Sequence, residues 1–229
     1  EEINRILTDS ISRWLFVTEP SGVENLRREG VQDDRIHLVG NVMIDTLLAC
    51  RELSSRSSIL DELRLDGRAF GVLTLHRPAN VDDAETLQGI LNAVGRIQDR
   101  LPIVFPVHPR TRKALEAHDP AAMPGLLLTE PLGYLDFMRL LSEARLVLTD
   151  SGGIQEETTV LGVPCLTLRN NTERPITIEQ GTNRLVGLKP DLIVAAARQA
   201  LDGPAVGGRI PNLWDGRAAA RIVDVLLGG

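Results

Sequence analysis

Short runs of Val, Ile and Leu alternate with longer stretches in which apolar residues recur every three or four positions, and this rhythm predicts a βα repeat: a parallel sheet covered on both faces by helices. In the first part of the chain the pattern predicts a strand over Trp14–Thr18, a helix over Pro20–Glu29 with proline in its first turn, and a strand over Ile36–Val39. An amphipathic segment, Val42–Leu53, then leads into the polar stretch Ser54–Ser58, the best linker candidate. Beyond it the rhythm restarts. Strands are predicted at Phe70–Leu75, Ile103–Val107, Leu126–Leu128, Leu146–Thr149 and Cys165–Leu168, and helices at Asp82–Asp99, Thr111–Ala117, Tyr134–Ser142 and Ile154–Leu161. These make one complete doubly wound α/β domain. A last amphipathic stretch, Asp215–Leu227, predicts a closing helix. At the other end Ile3, Ile6, Leu7 and Ile11 share a helical face from the first residue, so the chain reads as one that starts inside a helix.

Composition narrows the class. With 25 Lys and Arg against 31 Asp and Glu the formal net charge is −6, and no basic run occurs, which argues against a nucleic-acid or anionic-membrane partner. No apolar stretch is long enough for a membrane span. The two cysteines, Cys50 and Cys165, are distant and outside any CxxC, as in a reducing cytoplasm. HxH, CxxC and DxD are all absent, which disfavours a metal site, and without GxG or a P-loop the usual sequence support for NAD or ATP is missing.

Chemistry concentrates at predicted strand ends. Thr149-Asp150-Ser151-Gly152-Gly153 ends a buried strand and opens a helix, so the amides of Ser151, Gly152 and Gly153 are expected to point outward at the positive end of the helix dipole as a phosphate cradle. Glu157, about one turn on, is placed to accept hydrogen bonds from ribose hydroxyls. The alternative is a plain βα turn with an Asp or Ser cap. Arg174 follows the next strand and reaches the same edge, either toward a nucleotide or into solvent. His76, in Thr74-Leu75-His76-Arg77, suits proton transfer, phosphate binding or a structural role. His108, in Pro106-Val107-His108-Pro109, suits a structural or peripheral binding role.

Taken together, Glu1-Glu2-Ile3-Asn4-Arg5, Phe16-Val17-Thr18-Glu19, Gly40-Asn41-Val42-Met43-Ile44-Asp45, Thr74-Leu75-His76-Arg77, Pro106-Val107-His108-Pro109, Thr149 to Glu157, Thr172-Glu173-Arg174-Pro175 and Gly181-Thr182-Asn183 resemble the UDP-N-acetylglucosamine 2-epimerase family, most closely its non-hydrolysing bacterial branch. The resemblance implies a GT-B-like enzyme of two Rossmann-type domains with the active site between them. It divides the chain into residues 1–44, the end of a truncated first domain; 45–62, hinge helix and linker; 63–212, the UDP-binding domain; and 213–229, the closing helix. Most of a first domain, with further catalytic acids, is then missing from this chain.

The reaction implied is the interconversion of UDP-GlcNAc and UDP-ManNAc by elimination of UDP and re-addition, feeding surface polysaccharide, with no cofactor. Position by position, the resemblance makes Glu1 and His76 catalytic. It gives Ser151, Gly152 and Gly153 to the diphosphate, Glu157 to the ribose, Arg174 to the UDP side and Phe137 to the neighbourhood of the uracil, and it places His108 near a regulatory site. Ala79 stands where many relatives have Glu, and Leu132 where some have a polar uracil contact. The UDP-sugar is the implied partner, together with a second copy in a homodimer. A hydrolysing epimerase and a GT-B glycosyltransferase share the same cradle, and a fragment lacking half of the cleft is expected only to bind UDP, weakly.

Overall fold

The computed structural model describes residues 2–116, 118, 123–203 and 207–228. The chain forms two compact units, Glu1–Ala49 with Pro211–Gly229, and Cys50–Ile210.

The first unit holds α1 (Glu2–Ile11), β1 (Leu15–Val17), α2 (Pro20–Arg28), β2 (Ile36–Leu38), the start of α3 (Val42–Ser54) and α12 (Ala218–Leu226). β1 and β2 pair in parallel, Leu15 opposite Ile36 and Val17 opposite Leu38. Leu15, Val17 and Leu26 form a small core against Val23, Val31 and Ile36. The C-terminal segment belongs to this unit by specific bonds. Trp214 is buried and its indole N–H donates to the Thr18 carbonyl at 3.0 Å. Asp45 accepts from the amides of Ala218 at 3.1 Å and Ala219 at 2.7 Å, satisfying the N-terminus of α12 where a carboxylate also meets the helix dipole. The apolar residues of α1, Ile3, Ile6, Leu7 and Ile11, are exposed in the structure.

The second unit is built on a six-stranded parallel sheet. Its strands are β3 (Gly71–Thr74), β4 (Ile103–Pro106), β5 (Leu126–Thr129), β6 (Leu146–Thr149), β7 (Cys165–Thr167) and β8 (Asn183–Leu185). They lie in the order β5-β4-β3-β6-β7-β8. That is the Rossmann order, with the reversal falling between β3 and β6. Alternate side chains feed opposite layers, as the two-residue period of a strand requires. Leu73, Phe105, Leu148 and Leu166 pack with α6 (Ala84–Gln98) and α11 (Pro190–Asp202), whereas Val72, Val104, Val147 and Cys165 pack with α8 (Tyr134–Glu143) and α9 (Gly152–Leu161). Both faces are therefore buried, which is why these strands read as unbroken apolar runs.

Short helices complete the unit: α4 (Ile59–Glu62), α5 (Pro78–Val81), α7 (Pro109–Leu115) and α10 (Pro175–Glu179). The polar stretch read as a linker is in part structured: Ser54 ends α3 and the Ser57 hydroxyl donates to Asp136 at 2.6 Å. Of the short helices only α7 was expected from the sequence, and two further elements escaped its pattern. β8 is only three residues long, with Arg184 at its centre, and α11 buries Ala196, Ala197 and Ala200, whose small side chains give a weak apolar periodicity. Gly181 permits β8 to approach α9, since a Cβ there would stand 2.3 Å from the Thr159 hydroxyl. Among the described residues no helix is long and apolar enough to cross a membrane.

Candidate functional site

The polar strand ends converge at the carboxyl edge of the sheet, where β3 and β6 run side by side and the strand order reverses. Thr74 lies opposite Thr149, and their hydroxyls are 2.6 Å apart. One residue past β6, Asp150 is fully buried. Two residues past β3, His76 sets its Nδ1 2.8 Å from Asp150 Oδ1, with its ring nearly half exposed. The carboxylate also accepts from the amides of His76, at 3.2 and 3.1 Å, and of Arg77, at 2.9 Å, and from Asn80 Nδ2 at 3.2 Å. Asn80 Nδ2 donates again to the Leu168 carbonyl at 3.0 Å, which fixes the orientation of its amide. Burial works against the charged form of Asp150, but the bonds from His76 and Arg77 outweigh it and hold its pKa below the ordinary carboxylate value. The hydrogen bond to Asp150 raises the pKa of His76 against the opposing effects of burial and of Arg77.

The turn after Asp150 leads into α9. Of the three amides expected to be free, that of Ser151 is engaged, donating to Thr149 Oγ1 at 3.0 Å. Gly152 and Gly153 occupy the first turn of the helix, whose amides have no acceptor within the helix. A Cβ at Gly152 would meet nothing within 4 Å. The protein's own packing therefore does not demand glycine there, and the bare Cα leaves clearance for a ligand to approach the backbone.

Further along α9, Glu156 and Glu157 are both buried. Glu156 Oε1 lies 2.7 Å from Arg174 Nε and so aims the guanidinium of a partly exposed side chain. Glu157 is hydrogen-bonded with Tyr134; burial, reinforced by the neighbouring Glu156 charge, pushes it up to about 7. Tyr134 rises to about 12 through burial and the nearby Glu157. Phe137, one turn along α8 from Tyr134, packs half-buried against the core under α9.

Arg174 sits in a loop held from below. Gln155 Nε2 donates to the Ser151 carbonyl at 3.0 Å, and its Oε1 accepts from Thr172 at 2.6 Å and from Asn183 Nδ2 at 3.1 Å. Arg169 is buried and grips Glu173 with two bonds of 2.7 Å.

The structure thus brings His76, Ser151, Gly152, Gly153, Glu157 and Arg174 to one sheet edge. His108 lies beside them, its ring centroid 6.4 Å from that of His76, and caps α7 by accepting from the Arg110 amide at 3.2 Å. Glu1 lies outside the described residues. Sequence reasoning assigned no role beyond capping to Asp150 and none to Asn80, Glu156, Gln155 or Tyr134. An acid placed directly between a buried strand and a Gly-Gly turn was the available clue to Asp150. Its contact with His76, across 74 residues of chain, follows only from the pairing of β3 with β6.

The reversal of strand order in a Rossmann sheet, with a helix N-terminus and a histidine held by a buried aspartate beside it, defines a Rossmann-type α/β protein and marks the edge where such folds place their ligands. Residues 1–227 match the UDP-N-acetylglucosamine 2-epimerase family, and the chain belongs to it. It is 38% identical over 239 residues to the UDP-N-acetylglucosamine 2-epimerase of Methanocaldococcus jannaschii, covering 100% of this chain and 64% of that protein. It is 39% identical to the UDP-2,3-diacetamido-2,3-dideoxy-D-glucuronate 2-epimerase of Pseudomonas aeruginosa, covering 99% of this chain and 63% of that protein. The crystal structure of the M. jannaschii enzyme in complex with UDP-GlcNAc and UDP superposes with a TM-score of 0.90, covering 100% of this chain and 65% of the other. That of the Neisseria meningitidis enzyme bound to UDP-GlcNAc superposes with a TM-score of 0.88 at 31% identity, again covering 100% and 65%. These matches establish the GT-B-like, Rossmann-type class of the fold. The chain spans somewhat under two thirds of the length of these relatives.

Proposed function

We propose that this chain carries the UDP-binding part of an isomerase, a non-hydrolysing UDP-GlcNAc 2-epimerase. The observation that carries this reading is the placement of His76, held by a buried carboxylate, beside the open glycine turn of α9 at the crevice of a Rossmann sheet. In the reaction a base removes the C2 proton of the sugar while the C1–oxygen bond breaks, and UDP leaves with the bonding electrons. Re-addition of UDP to the resulting glycal, with a proton delivered to the other face of C2, gives the epimer. Protons and a leaving group move and hydride does not, so the scheme calls for acid–base groups and for donors to the diphosphate rather than a nicotinamide.

In this scheme the amides at Gly152 and Gly153 and the Ser151 turn hold the diphosphate, Glu157 takes the ribose hydroxyls, Arg174 neutralises charge on the UDP side and Phe137 lies by the uracil. His76 handles a proton and Glu1 supplies a second catalytic group. His108 borders a regulatory nucleotide-sugar site. A homodimer in the cytoplasm, supplying ManNAc units for polysaccharide, completes the proposal, and the two free cysteines agree with a reducing compartment. The P. aeruginosa relative supports a second reading in which the same 2-epimerisation acts on a UDP-diacetamido-glucuronate, because its 39% identity to this chain is as high as the 38% of the M. jannaschii UDP-GlcNAc enzyme.

NMR product analysis of UDP-GlcNAc, incubated with a chain extended to its relatives' length and with that chain's His76→Ala variant, tests the assignment. UDP-ManNAc formed by the parent and lost in the variant supports it. Release of free ManNAc moves it to the hydrolysing branch. A sugar nucleotide unchanged until an acceptor is added moves it to a glycosyltransferase, and turnover only of the diacetamido-glucuronate favours the second substrate.

A further inference from the structure

We propose that Asp150 is a positioning residue, which locks His76 in the tautomer protonated at Nδ1 and so makes Nε2 the atom offered to the ligand. The inference rests on the epimerase reading for its consequence, but its basis is geometry. Among the described residues, every other hydrogen-bond partner of the Asp150 carboxylate is a donor: the amide of His76, the amide of Arg77 and Asn80 Nδ2, whose orientation its second bond to Leu168 fixes. A carboxylate ringed by donors in a fully buried position is a pure acceptor. The remaining contact, 2.8 Å from Oδ1 to His76 Nδ1, is therefore a bond that the ring donates.

Because the backbone amide of His76 bonds to the same carboxylate as its ring, main chain and side chain are held by one group, which leaves the ring little freedom to turn. Among the described residues, the charged and titratable groups that act on or contact the ring are Asp150 from the turn after β6, Arg77 from its own loop and His108 from the loop after β4. Of these, only Asp150 favours the protonated ring. The bond also keeps the imidazole available as an acid at higher pH than a free histidine, as a group that must give up a proton near neutrality requires. The pairing parallels the buried Asp that orients the catalytic histidine of serine proteases, where the acid holds tautomer and geometry without itself titrating.

The test is a 15N NMR titration of the histidine rings in this 229-residue chain, with His76 assigned by its loss in His76→Gln. In the parent, His76 is expected to titrate above 6.5 and, once neutral, to carry its proton on Nδ1. In Asp150→Asn, whose amide cannot accept from all these donors, the midpoint is expected to fall by about one pH unit and the Nε2–H tautomer to appear. A parent with the Nε2–H tautomer, or with a midpoint at or below 6.5, overturns the proposal even if the variant does not fold. A folded variant with both properties unchanged overturns it as well. The titration uses no substrate, so a chain that fails to epimerise would sink the proposed reaction and leave this result standing. In the relative-length enzyme the Asp150→Asn change should lower kcat at least tenfold, leave KM within about threefold, and move the alkaline limb of the pH profile, where the ring loses the proton it must give up, with the NMR midpoint.

Discussion

Gly152 separates the needs of the fold from those of a ligand more cleanly than any other residue of the site. A methyl group there meets no protein atom within 4 Å, and alanine favours helix more than glycine does. Gly152→Ala should therefore melt at or slightly above the parent temperature while its UDP affinity falls at least about tenfold, or about 1.4 kcal/mol, by calorimetric titration. Unchanged affinity would remove the diphosphate from this turn.

Glu157 offers a second residue-scale prediction. Its pKa in the folded chain, about 7, lies above the ordinary 4.5, so folding favours its protonated form. The stability that this contributes is present in full below about 4.5 and is lost as the pH rises to about 7. Relative to Glu157→Gln, the parent should lose about 1–3 kcal/mol over that window in urea melts. Parallel pH profiles would contradict the buried, paired environment of Glu157. The sequence displayed the DSGG turn and the His-Arg pair as candidates, but no pattern along the chain shows that one carboxylate binds both strand ends.

At the scale of elements, the loop that carries Arg174 owes its placement to a buried polar network rather than to apolar packing. Asn183, at the head of β8, accepts from Thr167 of β7 at 2.6 Å, and its Nδ2 lies 3.1 Å from both Gln155 of α9 and Thr177 of α10. Replacing Asn183 with Ala leaves these partners buried without it, and should cost about 1–3 kcal/mol in chemical denaturation. UDP binding should weaken as well, because Gln155 also holds Thr172, two residues before Arg174. The sequence rhythm located the central strands within one or two residues because both of their faces are apolar. It passed over β8 and α11 because a three-residue polar strand and an alanine-lined helix carry almost no hydrophobic contrast.

Over the whole molecule, the chain's last segment folds back on its first. Trp214 is buried in the unit formed with residues 1–49, not in the six-stranded unit that precedes it along the chain. Trp214→Ala should destabilise that smaller unit by about 3–5 kcal/mol, as expected for emptying the site of a buried indole. In hydrogen exchange, amides of β1 and β2 should lose protection while those of β3 and β6 keep theirs. Equal loss in both units would show that they unfold as one.

The sequence by itself determined the βα alternation, the acidic character and the set of strand-end polar residues, since these depend on local periodicity and on which side chains follow each apolar run. The strand order, the meeting of His76 with Asp150 and the return of Trp214 to Thr18 were decided only by the tertiary structure. The two contacts join residues 74 and 196 positions apart, and the strand order turns on the pairing of β3 with β6 across two intervening strands; all arise from the packing of whole layers, which no local pattern along the chain encodes.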